Sequence, residues 1–162
     1  MTSDHFTHID KEGRALMVDV SGKQPTLRTA RAQAEIELGC KAFNLLIEGQ
    51  VAKGDVLAVA RVAGIMAAKR VDELIPLCHP LPIQSVEIYF TPDHESCSLI
   101  IESVVKLTGV TGVEMEALTA VSVAALTVYD MCKAVEKGIT IKHVKLLKKS
   151  GGKSGTWIRE GG

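Results

Sequence analysis

The sequence is short of aromatic residues, with three Phe, two Tyr and one Trp among 162 residues. RNA-binding sheets of small α+β domains stack bases on aromatic side chains, so this shortage argues against an RNA-binding function. Charge of one sign is not in excess either, because 19 Lys and Arg balance 19 Asp and Glu. Dedicated nucleic-acid binders usually carry a basic excess. We therefore expect no nucleic-acid partner.

Long hydrophobic runs are also missing. The longest stretches without a charged residue, 74–86 and 117–129, are thirteen residues each, whereas a helix needs roughly 20 apolar residues to span a bilayer. The first ten residues, MTSDHFTHID, contain no apolar core of the kind that a signal peptide has. We expect no membrane partner.

Paired cysteine motifs are absent. Cys40, Cys78, Cys97 and Cys132 are widely scattered, with no CxxC, which is not the pattern of a secreted disulfide framework. We expect reduced thiols and a cytoplasmic location. A chain of 162 residues fits a single catalytic domain over residues 1–162, with residues 1–6 and 156–162 expected to be mobile termini.

The hydrophobic pattern predicts alternating strands and helices. Residues 29–38, TARAQAEIEL, alternate small or apolar with polar side chains, which is typical of a half-buried strand. We predict further strands at 85–90, 97–107 and 139–147, with a turn at 91–96, and helices at 40–48, 56–75 and 113–137. Asp55 is expected to cap the second helix and Gly138 to end the last one.

This order is a split β-α-β-β-α-β pattern. It predicts an α+β, ferredoxin-like fold, in which an antiparallel sheet carries its helices on one face. The last helix is apolar nearly all round, although a surface helix should have a polar stripe. Its second side should be covered by the alanine-rich second helix or by a neighbouring subunit.

Charged residues reappear at the end of that apolar helix. Asp130 and Lys133 lie three residues apart and therefore on one helical face. They could form an ordinary exposed ion pair. Alternatively they are an acid–base pair, whose pKa values partial burial and mutual charge would move toward working pH.

The start of the same helix, TGVEME, offers two carboxylates. Thr111 and Glu114 match a capping box, which would account for Glu114 without a functional role. Glu116 could contact a base or a ribose hydroxyl, or it could simply be solvated. The two interpretations are equally supported.

Three other segments contain candidate site residues. The segment KKSGGKSG, residues 148–155, interleaves lysines with glycines; it is either an anion-binding loop or a solvated tail. In LCHPLP, Cys78 and His79 are adjacent, and adjacent residues rarely ligate one zinc, so we predict no metal site. Lys53 precedes a helix and is either a site residue or a surface lysine. Together these lysines, the loop histidine and the carboxylates favour a phosphorylated small molecule as the ligand.

Several of these motifs resemble those of one known family. MVDVSGK, KGD, LIPLCHPLP, TGVEMEALTAVSVAALTVYDMCKAV and LLKKSGGKSG are similar to segments of the cyclic pyranopterin monophosphate synthase family of molybdenum cofactor biosynthesis. The likeness runs in order from about residue 7 to residue 155, and the two long motifs are highly specific.

The resemblance implies a ferredoxin-like subunit in a homohexamer, a trimer of dimers, with active sites at subunit interfaces. It implies a lyase that converts (8S)-3′,8-cyclo-7,8-dihydroguanosine 5′-triphosphate into cyclic pyranopterin monophosphate with release of diphosphate. Matched by position, the catalytic residues are Asp130, Lys53 and Lys133. The substrate-binding residues are Leu77, Cys78, His79, Met115, Glu116, Lys149 and Arg28, to which the glycine-rich segment adds Lys153. We expect no required cofactor, although Mg²⁺ could accompany the triphosphate.

Two other functional classes stay open at this point. A non-catalytic ligand-binding module of the same fold would need an anion pocket but no Asp130. An RNA-binding sheet domain is disfavoured by the aromatic count.

Overall fold

The computed structural model describes residues 12–161, so the predicted mobile segment 1–6 lies outside the described residues. In this range the strands are β1 (Thr26–Glu37), β2 (Ser85–Asp93), β3 (Ser98–Gly109), β4 (Thr140–Ser150) and β5 (Trp157–Ile158). The helices are α1 (Cys40–Ile47), α2 (Val56–Ala68), α3 (Val71–Leu74) and α4 (Glu114–Cys132).

The five strands form one sheet in the order β2-β3-β1-β4-β5, and every neighbouring pair is antiparallel. The first four strands have the order of a split β-α-β-β-α-β fold. The predicted α+β, ferredoxin-like class is therefore confirmed.

The alternation of β1 separates the two faces of the sheet. Ala30, Ala32, Ala34 and Ile36 are fully buried and belong to the core that the helices complete. On the opposite face, Arg31 donates to both carboxylate oxygens of Glu102 on β3 at 2.8 Å. Successive side chains of a strand point to opposite faces, so the helices cover one face, as predicted.

α4 packs on β1, β3 and β4, and α2 packs beside it over β2. The closest approach of the two helices is at Gly64, where an added Cβ would lie 2.8 Å from the carbonyl oxygen of Ala120 and 3.3 Å from the Cβ of Ala124. The alanine-rich helix therefore covers the second side of α4. By length and composition α4 could cross a membrane, but half of it is buried inside the protein, and the core helix of a soluble protein passes the same test.

Helix ends differ from the predicted ones. Asp55 caps α2 as predicted, since its carboxylate accepts a hydrogen bond from the amide of Ala58 at 3.0 Å. The predicted helix 56–75 is broken after Ala68, however, and resumes as the single turn α3. α4 ends at Cys132, and the next residues form tighter turns in which the amide of Val135 bonds to the Cys132 carbonyl. The prediction that Gly138 ends this helix is therefore wrong.

The sheet extends further than predicted. β2 continues through Asp93, so the turn occupies residues 94–97 instead of 91–96. β5 was not predicted, and it pairs with β4 through Trp157 and Lys149. Mobility of residues 156–162 stays a prediction.

Two of the four cysteines form a disulfide. β1 and β3 pair with Glu37 opposite Ser98, which brings Cys40, just after β1, next to Cys97, just before β3. The prediction that all four thiols are reduced is therefore wrong for Cys40 and Cys97, while Cys78 and Cys132 are free. Cysteine usage no longer supports a cytoplasmic location.

Candidate active site

Lys53, Asp130 and Lys133 form one cluster at the C-terminal end of α4. The Lys53 ammonium donates to the backbone carbonyl of Asp130 at 2.8 Å and to its carboxylate at 3.1 Å. Lys133 contacts the other carboxylate oxygen at 2.7 Å. Lys53 lies on the turn before α2, and the packing of α2 against α4 brings it to Asp130. The structure therefore brings together the three residues that the sequence predicts to be catalytic.

The charges of this cluster stabilise one another in the single chain. Hydrogen bonds from Lys133 and Lys53 lower the pKa of Asp130, and the bond to Asp130 raises the pKa of Lys133. The predicted shift of both pKa values toward neutrality is wrong for the chain by itself. The physical reason is exposure, since 58% of the Asp130 side chain is accessible and burial contributes little.

Five of the predicted substrate-binding residues meet at the other end of α4. Leu77, Cys78 and His79, from the proline-punctuated segment before β2, face Met115 and Glu116 of the first turns of α4 across a cleft of about 390 Å³. We call this the ring cleft. Residues 18–23 of the N-terminal segment contribute Val18, Val20 and Lys23 to its wall.

Glu116 is the buried acid of the ring cleft. It is only 3% exposed, which excludes the interpretation of a solvated side chain. The pKa of Glu116 is raised to about 7, mainly by burial, with the charges of Glu114 and Asp72 acting in the same direction. Burial also raises the pKa of the neighbouring Cys78 thiol, with the charges of Glu116 and Asp72 acting in the same direction. The ring cleft therefore contains a carboxyl that can hold or release a proton near neutral pH.

A second cleft, of about 850 Å³, adjoins the ring cleft and contains Arg28, Lys149 and Lys153. We call it the basic cleft. Gly151 and Gly152 adopt φ of +105° and +71°, a left-handed conformation that glycine adopts without strain. The guanidinium of Arg28 donates to the carbonyls of Gly109 and Val110 at 3.2 Å.

Arg28 also touches the glycine-rich segment. A Cβ on Gly152 would lie 1.8 Å from an Arg28 nitrogen. Arg28 therefore holds the connection between β3 and α4 against the glycine-rich segment. Lys149 and Lys153, the other predicted cations of this cleft, can attract an anion.

Sequence reasoning missed two residues of this region. Glu114 was assigned to a capping box, but the N-cap of α4 is Val113 and no side chain caps the helix. Instead Glu114 pairs with Lys149 at 2.9 Å. Lys23 lines both clefts. Both residues lie inside motifs that carry the family resemblance, and that was the signal available for them.

The two halves of the predicted site lie at opposite ends of one helix. Glu116 and Asp130 are fourteen residues apart on α4, which at about 1.5 Å per residue is about 21 Å. Lys53, Asp130 and Lys133 are not among the residues that line either cleft. One chain therefore does not bring all the predicted site residues together.

Within residues 12–161, no group of three or more His, Cys, Asp or Glu side chains is placed to hold a metal ion. The titratable side chains that line the two clefts, with the Lys53, Asp130 and Lys133 cluster, can supply acid–base and electrostatic chemistry. Carboxylates, ammonium groups and one histidine supply it.

Comparison with known proteins identifies the family of the chain. A model of the MoaC family matches residues 17–152. A protein from Heliobacterium modesticaldum named cyclic pyranopterin monophosphate synthase is 57% identical over 157 residues, which are 97% of this chain and 99% of that protein. Proteins of the same name from Thermomicrobium roseum and Geotalea uraniireducens are 58% and 56% identical over 155 residues; each alignment covers 96% of this chain, with 93% and 97% of the respective protein. With a family match over residues 17–152, a range that includes Lys53, Asp130 and Lys133, the chain belongs to the MoaC family.

Proposed function

We propose that the chain converts (8S)-3′,8-cyclo-7,8-dihydroguanosine 5′-triphosphate into cyclic pyranopterin monophosphate and diphosphate, with the ring system in the ring cleft and the phosphates in the basic cleft. The chain is an enzyme of molybdenum cofactor biosynthesis. The observation that carries the assignment of the clefts is their common wall. Lys23, Thr111, Gly112 and Glu114 line both of them, so one elongated molecule can occupy the two clefts together.

The basic cleft suits the phosphate end of the substrate. Lys149 and Lys153 lie on either side of glycines whose backbone amides can also face an anion. Positive charge next to the bond that breaks stabilises the negative charge that develops on the leaving diphosphate. Mg²⁺ would enter with the triphosphate as part of the substrate, and no protein-bound metal is required.

The ring cleft suits the proton transfers of the rearrangement. Glu116 exchanges a proton near neutral pH, and the imidazole of His79 lies in the same wall. Opening one ring and closing another requires a proton to be removed from one atom and delivered to another, and positioned acids and bases accelerate such steps.

Lys53, Asp130 and Lys133 act from a neighbouring subunit. Reacting atoms must approach to about 3–3.5 Å, whereas about 21 Å separates Asp130 from Glu116 on α4. A second copy that presents its Asp130 cluster to the ring cleft completes the site. Burial in that interface would act on Lys133 against the effect of Asp130 and lower its pKa toward the range of a general base.

Exposed apolar side chains support assembly of the chain. On α2, Val59, Val62 and Met66 recur on one helical face and are 47–57% exposed, and Leu126 on α4 is 56% exposed. Such a surface is typical of a protein–protein contact.

We propose a homohexamer, a trimer of dimers, in the cytoplasm. Light scattering at micromolar concentration should give about six times the 17.4 kDa mass of one chain, and a monomer mass would contradict the assembly.

The direct test of function is turnover of the cyclised triphosphate. The purified protein should release diphosphate and form cyclic pyranopterin monophosphate, measured by a coupled diphosphate assay and by mass spectrometry. Asp130→Asn is the matched control, because it retains the shape of the side chain and removes its charge. Binding of the substrate without release of diphosphate by the wild-type protein would instead favour the non-catalytic ligand-binding module.

A further inference from the structure

The ion pair between Glu114 and Lys149 lies where the two clefts meet. Glu114 belongs to the wall that both share, and Lys149 projects from β4 into the basic cleft. Their charged atoms are 2.9 Å apart, with 27% and 35% of the two side chains exposed. Within residues 12–161, the cation that pairs with Glu114 is therefore a lysine that the proposed function assigns to phosphate.

Gly112 makes this contact possible. A Cβ at Gly112 would lie 1.9 Å from one carboxylate oxygen of Glu114 and 2.8 Å from the other. The carboxylate thus folds back into the space that any side chain at residue 112 would occupy. The backbone of Gly112 is not in the left-handed region, so its lack of a side chain matters here for space and not for conformation.

We propose that Glu114 is a positioning residue that holds Lys149 while the basic cleft is empty and competes with phosphate for it. A phosphate group that takes Lys149 must first separate it from Glu114. When diphosphate leaves, the carboxylate recaptures the ammonium group, so the pair weakens diphosphate binding and promotes its release. This inference rests on the proposed placement of the phosphates in the basic cleft.

The competition can be measured with inorganic diphosphate alone. Calorimetric affinities would be compared for wild type, Glu114→Gln, Lys149→Ala and the double variant, at low ionic strength. Glu114→Gln should bind diphosphate about two- to fivefold more tightly, because a partly exposed ion pair has a free energy of this order. In the Lys149→Ala background the same substitution should have almost no effect, since the lysine for which Glu114 competes is absent.

Gly112→Ala tests the same claim without changing either charge. The added methyl group displaces the Glu114 carboxylate, so this variant should also bind diphosphate more tightly. Gly22→Ala is its matched control, because Gly22 lines the same cleft but nothing lies within 4 Å of an added Cβ. Thermal melting of each variant would establish that it is folded.

Three results would overturn the proposal. One is an equal gain in diphosphate affinity from Glu114→Gln in the wild-type and Lys149→Ala backgrounds, which would indicate only that a carboxylate repels an anion in general. The second is unchanged or weaker diphosphate binding in both Glu114→Gln and Gly112→Ala. The third is a wild-type protein that does not bind diphosphate at all. Each of these readouts is independent of turnover, so none is confused with a failure of the proposed reaction.

Discussion

At the scale of single residues, the site contains two carboxyl groups with opposite environments. Glu116 is buried and its pKa is raised to about 7. Asp130 is exposed between two lysines that lower its pKa. Enzymes commonly separate the roles of their carboxyl groups in this way, one able to hold a proton and the other permanently charged. Environment, and not residue type, therefore distinguishes the two acids.

The raised pKa of Glu116 has a consequence for stability. Between pH 4.5 and about 7 the folded chain holds a proton on Glu116 that the unfolded chain has released. The free energy of unfolding therefore falls as pH rises through this window, by about 3 kcal/mol in total, since each pKa unit corresponds to about 1.4 kcal/mol.

Glu116→Gln should remove this dependence on pH. Urea unfolding of wild type and variant at several pH values between 4.5 and 8 would measure the difference between their free energies of unfolding. The variant should gain stability relative to wild type as pH rises. Two curves that stay parallel across the window would show that Glu116 titrates normally.

Loss of any residue of the Asp130 cluster should abolish most of the turnover. Because all three side chains are exposed, Lys53→Ala, Lys133→Ala and Asp130→Asn should leave the subunit folded. Removal of one acid–base group typically lowers the rate by about 10²- to 10⁴-fold. Steady-state kinetics with circular dichroism as the folding control would check this. A variant with a near wild-type rate would exclude that residue from the mechanism.

At the residue scale, sequence patterns predicted residues that the structure brings together in the Asp130 cluster. Asp130 and Lys133 are close in sequence, and Lys53 was identified through its motif. Glu114 was assigned wrongly because a capping box depends only on local spacing, whereas its actual partner, Lys149, comes from a strand late in the chain. Contacts between segments that are distant in sequence depend on the topology of the fold, which local sequence patterns do not predict.

At the scale of secondary-structure elements, α4 determines where the chemistry lies. Its first turns contribute Met115 and Glu116 to the ring cleft, and its last turn carries Asp130. α2 packs across it at Gly64 and holds Lys53 beside that last turn. The periodicity of the sequence predicted both helices, but not the break at residue 69 or the early end at Cys132. Those ends follow from local turns that no proline or glycine marks.

Gly64→Ala should destabilise the fold at the crossing of α2 and α4. The added Cβ would lie 2.4 Å from a side-chain carbon of Ile88 and 2.8 Å from a backbone oxygen of α4, which cannot move freely. Overpacking costs about 1–3 kcal/mol, and the better helix propensity of alanine offsets about 1 kcal/mol. Urea unfolding should show a net loss, with Gly22→Ala unchanged as the control. A more stable Gly64→Ala protein would contradict this tight crossing.

The glycine-rich segment after β4 should act on the phosphates. Lys149→Ala should weaken binding of the triphosphate substrate more than binding of the monophosphate product, because the product lacks the diphosphate charge. Binding should also become less sensitive to salt, since one charge–charge interaction is lost.

Lys148→Ala is the matched control for this prediction. Lys148 is the neighbouring residue of β4 and projects from the opposite face of the sheet. Affinities for substrate and product would be measured at two ionic strengths. If Lys149→Ala weakened binding of substrate and product equally, the segment would not bind the diphosphate part of the substrate. The same conclusion would follow if Lys148→Ala weakened substrate binding as much as Lys149→Ala does.

At the scale of the whole molecule, one subunit has the parts of a site but not a complete one. The sheet order and the face that carries the helices were predictable from the strand pattern. The disulfide between Cys40 and Cys97 was not, because it depends on the register of β1 against β3. The separation of the Asp130 cluster from the ring cleft was not predictable from motifs either. It follows from the length of α4, and under the proposed function it makes assembly of the chain part of the mechanism.

The central claim is that two subunits form each active site, and mixing two inactive variants tests it most directly. Asp130→Asn and His79→Ala, each inactive alone, would be unfolded together, refolded in equal amounts and assayed for diphosphate release. Random assembly gives intact composite sites at about a quarter of positions, so about a quarter of the wild-type rate should return. A mixture as inactive as its two parents would contradict the shared site and would place all the chemistry within one chain.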